Sequence, residues 1–342
     1  MAEPGSLGPS IWAASDGRAG NAAQIRAVMA ALSEPSRRAK LAHIRGENHR
    51  ADPITLSPRA PWTWLPADRW PFPRLALPKA QRTILQAPWP TLWIAAGRRS
   101  AAFTKAVRVW SGGKTLCVQI LDPRVDPGHF DLVITPAHDG LEAPNVTRTI
   151  GSPAYFSDGA IAQARRDYAD VAGQHLQSAI VIVGGNSKTH RFTEQACLRL
   201  TDQLRVVSAD GWHLRITTSR RTPDFVTTRL RILAGEIGAD IWSGPEDGPN
   251  PYLAWLLHSD AAIVTEDSAN MLSDAAYHGL PVHMARLDGQ SEKFDRLHGS
   301  LIDRGVARWF DGALERWTYP PLREAERVAD AIVESLIRRD PA

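Results

Sequence analysis

Only two cysteines, Cys117 and Cys197, occur in this chain, both in apolar surroundings, which excludes a disulfide framework and predicts buried thiols in a reducing compartment. No uncharged apolar run of about 18 residues exists, so no transmembrane helix is expected. Met1 to Pro9 has neither a basic n-region nor an apolar h-region and does not read as a secretion signal, which leaves a cytoplasmic placement. Nor is there a long basic stripe or a zinc-ligand pattern. With 40 basic against 37 acidic side chains, the formal charge of +3 argues only weakly for anionic partners, and not for nucleic acid.

What is present is a recurring design of apolar strand, glycine-containing polar turn and helix. At 342 residues the chain exceeds one ordinary core and predicts two domains of roughly 100–200 residues each. Residues 8–155 read as a first α/β domain and 176–320 as a second. The tail from Leu322 to Arg339 spaces Leu322, Ala325, Val328, Ala329, Ile332, Val333 and Leu336 at helical period, and this face would be covered by packing back on the first domain.

In an α/β sheet, ligands sit at the carboxyl ends of the strands. On the first domain that rim holds Asp16, Arg18 and Asn21 after the strand Ser10–Ala14, and Arg98 and Arg99 after Leu92–Ala96. Asp16 is a candidate general base or acceptor-positioning carboxylate, although Asp before Gly is also an ordinary turn. His138, with Asp139, follows the strand Phe130–Thr135 as a second acid/base candidate. Ser111-Gly112-Gly113-Lys114-Thr115 is not a P-loop, because Arg108 replaces the first glycine and a strand follows where a helix belongs. Residues 158–175 read as a polar helix leading to the second domain.

On the second domain, Gly184, Gly185, Asn186, Ser187 and Lys188 follow the strand Ser178–Val183. Two glycines let backbone approach a ligand, Ser187 can cap the helix Thr193–Val206, and Lys188 supplies a point charge suited to a diphosphate. Ser219, Arg220 and Arg221 follow the strand Leu214–Thr217, and Glu266, Asp267 and Ser268 follow Ala261–Val264. Asp267 and Ser268 stand where an N-cap belongs, with free N–H groups suited to phosphate. Asn270 and Met271 lie in the first helical turn, and Asp274, further along, could accept bonds from a ribose or sugar diol. Asp-x-Asp is absent, which disfavours a metal-dependent sugar transferase; helix N-termini and Lys188, Arg220 or Arg221 would meet the diphosphate charge, and no metal or other cofactor is expected.

Between Pro61 and Pro90, Trp62, Trp64, Trp70, Phe72 and Trp89 alternate with prolines that exclude a helix interior over the first half of the segment. With Arg69, Arg74, Lys79 and Arg82 they suit a membrane-interface surface, where a lipid-linked acceptor or bilayer could dock, or they close over a core between the domains.

The run from Ser268 to Pro281 resembles the nucleotide-sugar segment of two-domain (GT-B) glycosyltransferases, nearest in shape to the bacterial enzyme that adds N-acetylglucosamine to the lipid-linked peptidoglycan precursor. Asp16-Gly17-Arg18-Ala19-Gly20-Asn21 with Gln24, Gly97-Arg98-Arg99-Ser100, Gln119 to Arg124, Gly184 to Lys188 and Thr265 to Ser268 together resemble the mitochondrial-fission Elm family, from about Ile11 to Phe310. Composition rich in Ala, Arg and Trp points to a bacterial member. The resemblance implies a GT-B-like pair of Rossmann-like domains facing a central cleft, with a nucleotide sugar on the second and an acceptor on the first. The polar loops converging by topology lead to the expectation of a metal-independent, inverting glycosyltransferase with Asp16 as the preferred base, acting on an envelope-related or lipid-linked acceptor, as a peripheral protein of the inner membrane's cytoplasmic face. The peptidoglycan enzyme's glycine-rich turn is replaced by Asp16-Gly17-Arg18, so its own lipid acceptor is not carried over. A nucleoside-diphosphate-sugar epimerase, the label many bacterial relatives bear, and a non-catalytic scaffold or membrane-remodelling protein remain alternatives.

Overall fold

The computed structural model describes residues 9–44, 53–171, 173 and 175–340, and Met1–Gly8 of the segment read for a secretion signal lie outside them. The chain divides into two compact units, Phe156–Leu322 and a unit formed by the chain up to Tyr155 together with that from Arg323 onward. Each is built on a parallel six-stranded sheet. The first comprises β1 (Ile11–Ser15), β2 (Ile54–Thr55), β3 (Leu92–Ala96), β4 (Leu116–Ile120), β5 (Leu132–Pro136) and β6 (Val146–Thr149), in the order β2-β1-β3-β4-β5-β6. The second unit contains β7 (Ser178–Val183), β8 (His190–Arg191), β9 (His213–Thr218), β10 (Asp240–Trp242), β11 (Ala261–Thr265), β12 (Val282–Ala285), β13 (Asp288–Gly289) and β14 (Ala307–Trp309). Its sheet runs β10-β9-β7-β11-β12-β14, while β8 and β13 form a separate antiparallel pair.

The central strands β3, β4 and β5 are short, largely apolar and buried along their whole length, as a parallel sheet covered on both faces requires. Period two sends alternate residues to opposite layers. Trp12, Trp93, Cys117 and Val133 face one layer of the first unit, and Ala13, Ile94, Val118 and Ile134 face the other. That second layer is closed by the helices Ala19–Leu32 and Glu324–Arg339, the latter burying Ala325, Val328, Ala329, Ile332, Val333 and Leu336. The C-terminal helix therefore packs back on the first unit. Arg37 clamps it with two bonds to Asp330, at 2.8 and 3.1 Å.

The structure changes one expectation and adds two features. The helix expected over 158–175 is Asp158–Asp167, followed by a 3-10 turn, Ala169–Val171. A helix unassigned from sequence, Asp224–Ile237, buries Val226, Leu230, Leu233 and Ala234 and stops at Gly238, whose φ of 66° ends it. The Trp- and Pro-rich segment folds as three 3-10 turns and a four-residue helix, with Trp62, Trp70 and Trp89 packed over the first unit's own core. Among the described residues, no helix is long and apolar enough to cross a membrane.

Candidate functional site

Strand order brings the second unit's candidate residues together. From β7 the chain moves outward through β9 to β10, then returns to lay β11 on the other side of β7. The reversal leaves a switch point between the carboxyl ends of β7 and β11, the place where an open α/β sheet offers a ligand site. The loops after β9, β7 and β11 therefore sit side by side, and these are the three polar loops singled out from sequence.

They are locked together by one carboxylate. Asp267, its side chain fully buried, accepts from the backbone N–H of Gly185 at 3.1 Å and from Thr265 Oγ1 at 2.7 Å, and pairs with Arg221 Nη2 at 2.7 Å. Thr265 Oγ1 also accepts from the Gly184 N–H at 2.7 Å. A methyl group at Gly184 would collide with the Asp267 carboxylate, and one at Gly185 with the backbone of Arg221. The two glycines thus make room for protein, where the sequence reading gave the space to a ligand. Thr222 completes the lock, its hydroxyl donating to the Gly184 carbonyl at 2.5 Å. Arg221 and Asp267 are committed to each other, and the charges left on these loops are Lys188 and Arg220, both exposed.

Other expected positions take structural parts. Ser187 turns the chain, accepting from the N–H groups of Thr189 and His190, and the N-cap of the Glu194–Ala209 helix is Thr193. The Asn186 side chain accepts from Phe192 N–H at 2.8 Å, and Ser219 Oγ from Arg221 N–H at 3.2 Å. Glu266 turns inward, accepting from Leu287 N–H at 2.7 Å, with buried His298 3.8 Å from its carboxylate; burial raises the acid and lowers the imidazole, so the pair is held toward neutrality. Ser268 does cap the Ala269–Tyr277 helix, accepting from Met271 N–H at 3.4 Å. Asn270, Met271 and Asp274 lie half-buried along one stripe of that helix, opposite Leu272, Ala275 and Ala276 in the core. Asp274 accepts from the Tyr252 hydroxyl at 3.0 Å, and burial pushes its carboxyl up to about 7. Ser268 and Asp274 are separated by roughly 9 Å of helix rise.

The first unit repeats the switch point between β1 and β3, after which Asp16 and Gly97 stand. Asp16, its side chain 4% exposed, accepts from Asn21 Nδ2 at 2.8 Å and Arg18 N–H at 3.3 Å, and lies 3.7 Å from the largely exposed Arg18 guanidinium. Gly97, with φ of 98°, gives space to Asp16 and Asn21 as Gly184 does to Asp267. Beneath it, buried Gln119 donates to the Gly97 carbonyl at 3.1 Å and accepts from Thr104 Oγ1 at 2.8 Å, fixing the loop from below. Arg98 and Arg99 are exposed on this loop.

His138 is not brought to Asp16. It is buried in a turn after β5, three strand spacings from β1, about 14 Å at ~4.8 Å each. A histidine at a strand's end shares the rim only in name when the strands between are not counted. Thr265, Thr222, Tyr252 and Gln119 are the fixing residues the sequence reading passed over. Two of them, Thr265 and Gln119, carried a signal, a hydrogen-bonding group at or next to a strand's end.

A family model, mitochondrial fission ELM1, matches residues 19–336. The chain is 32% identical over 283 residues to the mitochondrial fission protein ELM1 of Arabidopsis thaliana, a match covering 73% of this chain; the chain spans 65% of the plant protein's length. It is 28% identical over 283 residues to an uncharacterized protein of Rickettsia prowazekii, covering 71% of this chain and 79% of that one. Among solved structures, a UDP-GlcNAc 2-epimerase from Methanocaldococcus jannaschii superposes with a TM-score of 0.50 at 9% identity, over 95% of this chain and 99% of that one. At that identity the likeness is one of fold, the fold of GT-B glycosyltransferases and epimerases.

Proposed function

The chain belongs to the mitochondrial fission ELM1 family, and we propose that it is a glycosyltransferase whose Phe156–Leu322 unit holds a nucleoside-diphosphate sugar. The observation carrying this reading is the division of labour at the second switch point. Arg221 and Asp267 spend their charges on each other to hold three loops in place, and Lys188 and Arg220 remain on those loops with the N-terminus of the Ala269–Tyr277 helix. Cations and a helix N-terminus together suit a diphosphate. Asp274, roughly 9 Å along the helix from Ser268, would meet the ribose diol, with Tyr252 orienting its carboxylate. No metal ion enters this reading.

On the first unit we assign the base to Asp16. Its carboxylate is held by Asn21 and the Arg18 N–H, so Arg18, the exposed partner, is the one that can swing aside for an acceptor hydroxyl. Asp16→Ala should abolish transfer while leaving nucleotide binding at the wild-type level; unchanged turnover on an accepted substrate removes Asp16 from the role.

The donor site is tested by a thermal-shift panel of nucleoside diphosphates. A nucleotide at about 100 times its Kd should stabilise the protein by roughly 2.7 kcal/mol, and no shift with any member of the panel overturns the reading. An epimerase of the same fold shares the donor site. It converts the sugar nucleotide with no acceptor present, so NMR of donor alone separates the two.

A further inference from the structure

The Trp- and Pro-rich segment has two faces of opposite character. Ala67, Trp70, Ala76 and Leu77 are buried in the first unit's core, while Trp64 is 79% and Phe72 77% exposed, with Leu65 and Leu75 also out in solvent. Large aromatics that merely fail to pack sit on loose chain. These do not. The Trp62 indole donates to the Pro71 carbonyl at 2.7 Å and the Trp70 indole to the Leu65 carbonyl at 3.1 Å, tying residues 62–65 to 70–71. Arg82 holds the far end through the carbonyls of Leu77 and Leu75, at 2.9 and 3.2 Å, and Lys105 holds the Asp68 carbonyl at 3.0 Å. Phe72 stands at φ 45°, ψ 64°, a left-handed conformation that a bulky side chain adopts only under constraint. The constraint points its ring away from the core.

We propose that this platform, Trp64, Leu65, Phe72 and Leu75 with their basic surround, docks the protein on an anionic lipid surface. Charge selects the occupant. From Leu56 to Pro90 the segment carries Arg59, Arg69, Arg74, Lys79 and Arg82 against one acid, Asp68, and of the five Arg59, Arg69 and Lys79 are exposed. Protruding apolar tips flanked by cations of one sign match a bilayer interface, where aromatic rings sit at headgroup depth and Lys and Arg meet anionic headgroups. The inference is independent of the donor site, since it uses none of that site's residues.

Sedimentation of the full chain with phosphatidylglycerol-containing vesicles, and with pure phosphatidylcholine vesicles, tests it. Binding to the anionic vesicles is expected, weaker on the neutral ones. The double variant Trp64→Ser with Phe72→Ser should lower the partition coefficient about tenfold or more, and Arg69→Gln with Lys79→Gln about fivefold for each charge removed. Both variants should keep the wild-type melting temperature and nucleotide affinity, so a failed donor site leaves this result readable. Absence of vesicle binding, or equal binding by wild type and the aromatic variant, overturns the proposal. So does sedimentation equilibrium showing a dimer that the aromatic variant abolishes while vesicle binding is absent, which would assign the platform to a second copy of the chain.

Discussion

The Asp267 carboxylate occupies the space that any side chain at Gly184 would need, although the two residues stand on different loops of the second sheet. Gly184→Ala should therefore destabilise the protein by about 1–3 kcal/mol, as overpacking does, and weaken nucleotide binding with it. Removing the carboxylate removes the clash. In a double-mutant cycle, Gly184→Ala with Asp267→Ala should be less destabilised than the sum of the single variants by about 0.5–3 kcal/mol. Urea unfolding measures this, and strict additivity would show that the two positions do not share that space.

The three basic residues of the loops should separate by assay. Arg221→Ala leaves a buried carboxylate short of its charged partner and should cost about 1.5–3 kcal/mol of stability, at the lower end because Arg221 is 41% exposed and water can take its place. Lys188→Ala and Arg220→Ala should change stability by less than about 0.5 kcal/mol while weakening nucleoside-diphosphate binding about tenfold each. Titration calorimetry beside thermal melts distinguishes the two classes. Equal behaviour of Arg220 and Arg221 in both assays would contradict the division.

Asp274 sets a pH dependence on binding. Its carboxyl, pushed up to about 7 by burial, is protonated in the folded protein at slightly acid pH and ionised above it. The ionised form is the better acceptor for a diol, so nucleotide affinity should rise as pH passes upward through about 7. Asp274→Asn, which cannot ionise, should flatten that rise. The same raised carboxyl stabilises the fold most below its unfolded value and loses the contribution as pH climbs through about 7, so the Asn variant should melt higher than wild type at pH 8. A wild-type affinity that falls over this range would exclude Asp274 as the acceptor.

His283 acts in the opposite direction. Buried on β12 between Trp317 and Phe310, it accepts from the Glu315 N–H at 3.1 Å, and burial holds its pKa down at about 4. The unfolded chain takes up a proton near pH 6.5 that the folded one refuses, so stability present at neutral pH is lost as pH falls from about 6.5 toward 4, on the order of 3 kcal/mol in all. His283→Gln should remove that part of the slope, read as urea midpoints between pH 7 and 5. An unchanged slope in the variant would place the acid sensitivity elsewhere.

The sheets were legible because strands such as Leu92–Ala96 and Ser178–Val183 are unbroken apolar runs, and the last helix because its stripe is regular. The Asp224–Ile237 helix was not, since Thr227, Thr228, Arg229 and Arg231 dilute its apolar positions with β-branched and charged residues. At the site, sequence located the three loops and the Ser268 cap but not what the glycines are for. Gly185 is bonded to a residue 82 positions away, and no local pattern reports which side chain fills the space beside it. His138 misled for a related reason, because strand order decides what stands together and the sequence shows only that a strand ends there.

The Glu324–Arg339 helix closes a core whose other elements all precede Tyr155, with the whole of Phe156–Leu322 lying between. On the ribosome, where domains fold as units in the order they emerge, the later unit is consequently the first to possess every piece it needs. The layer of Ile25, Val28, Ile94 and Val118 lacks its second covering helix through the synthesis of some 170 residues, roughly 10–30 s at 5–20 residues per second. Chaperone demand during synthesis should therefore fall on the half of the protein made first.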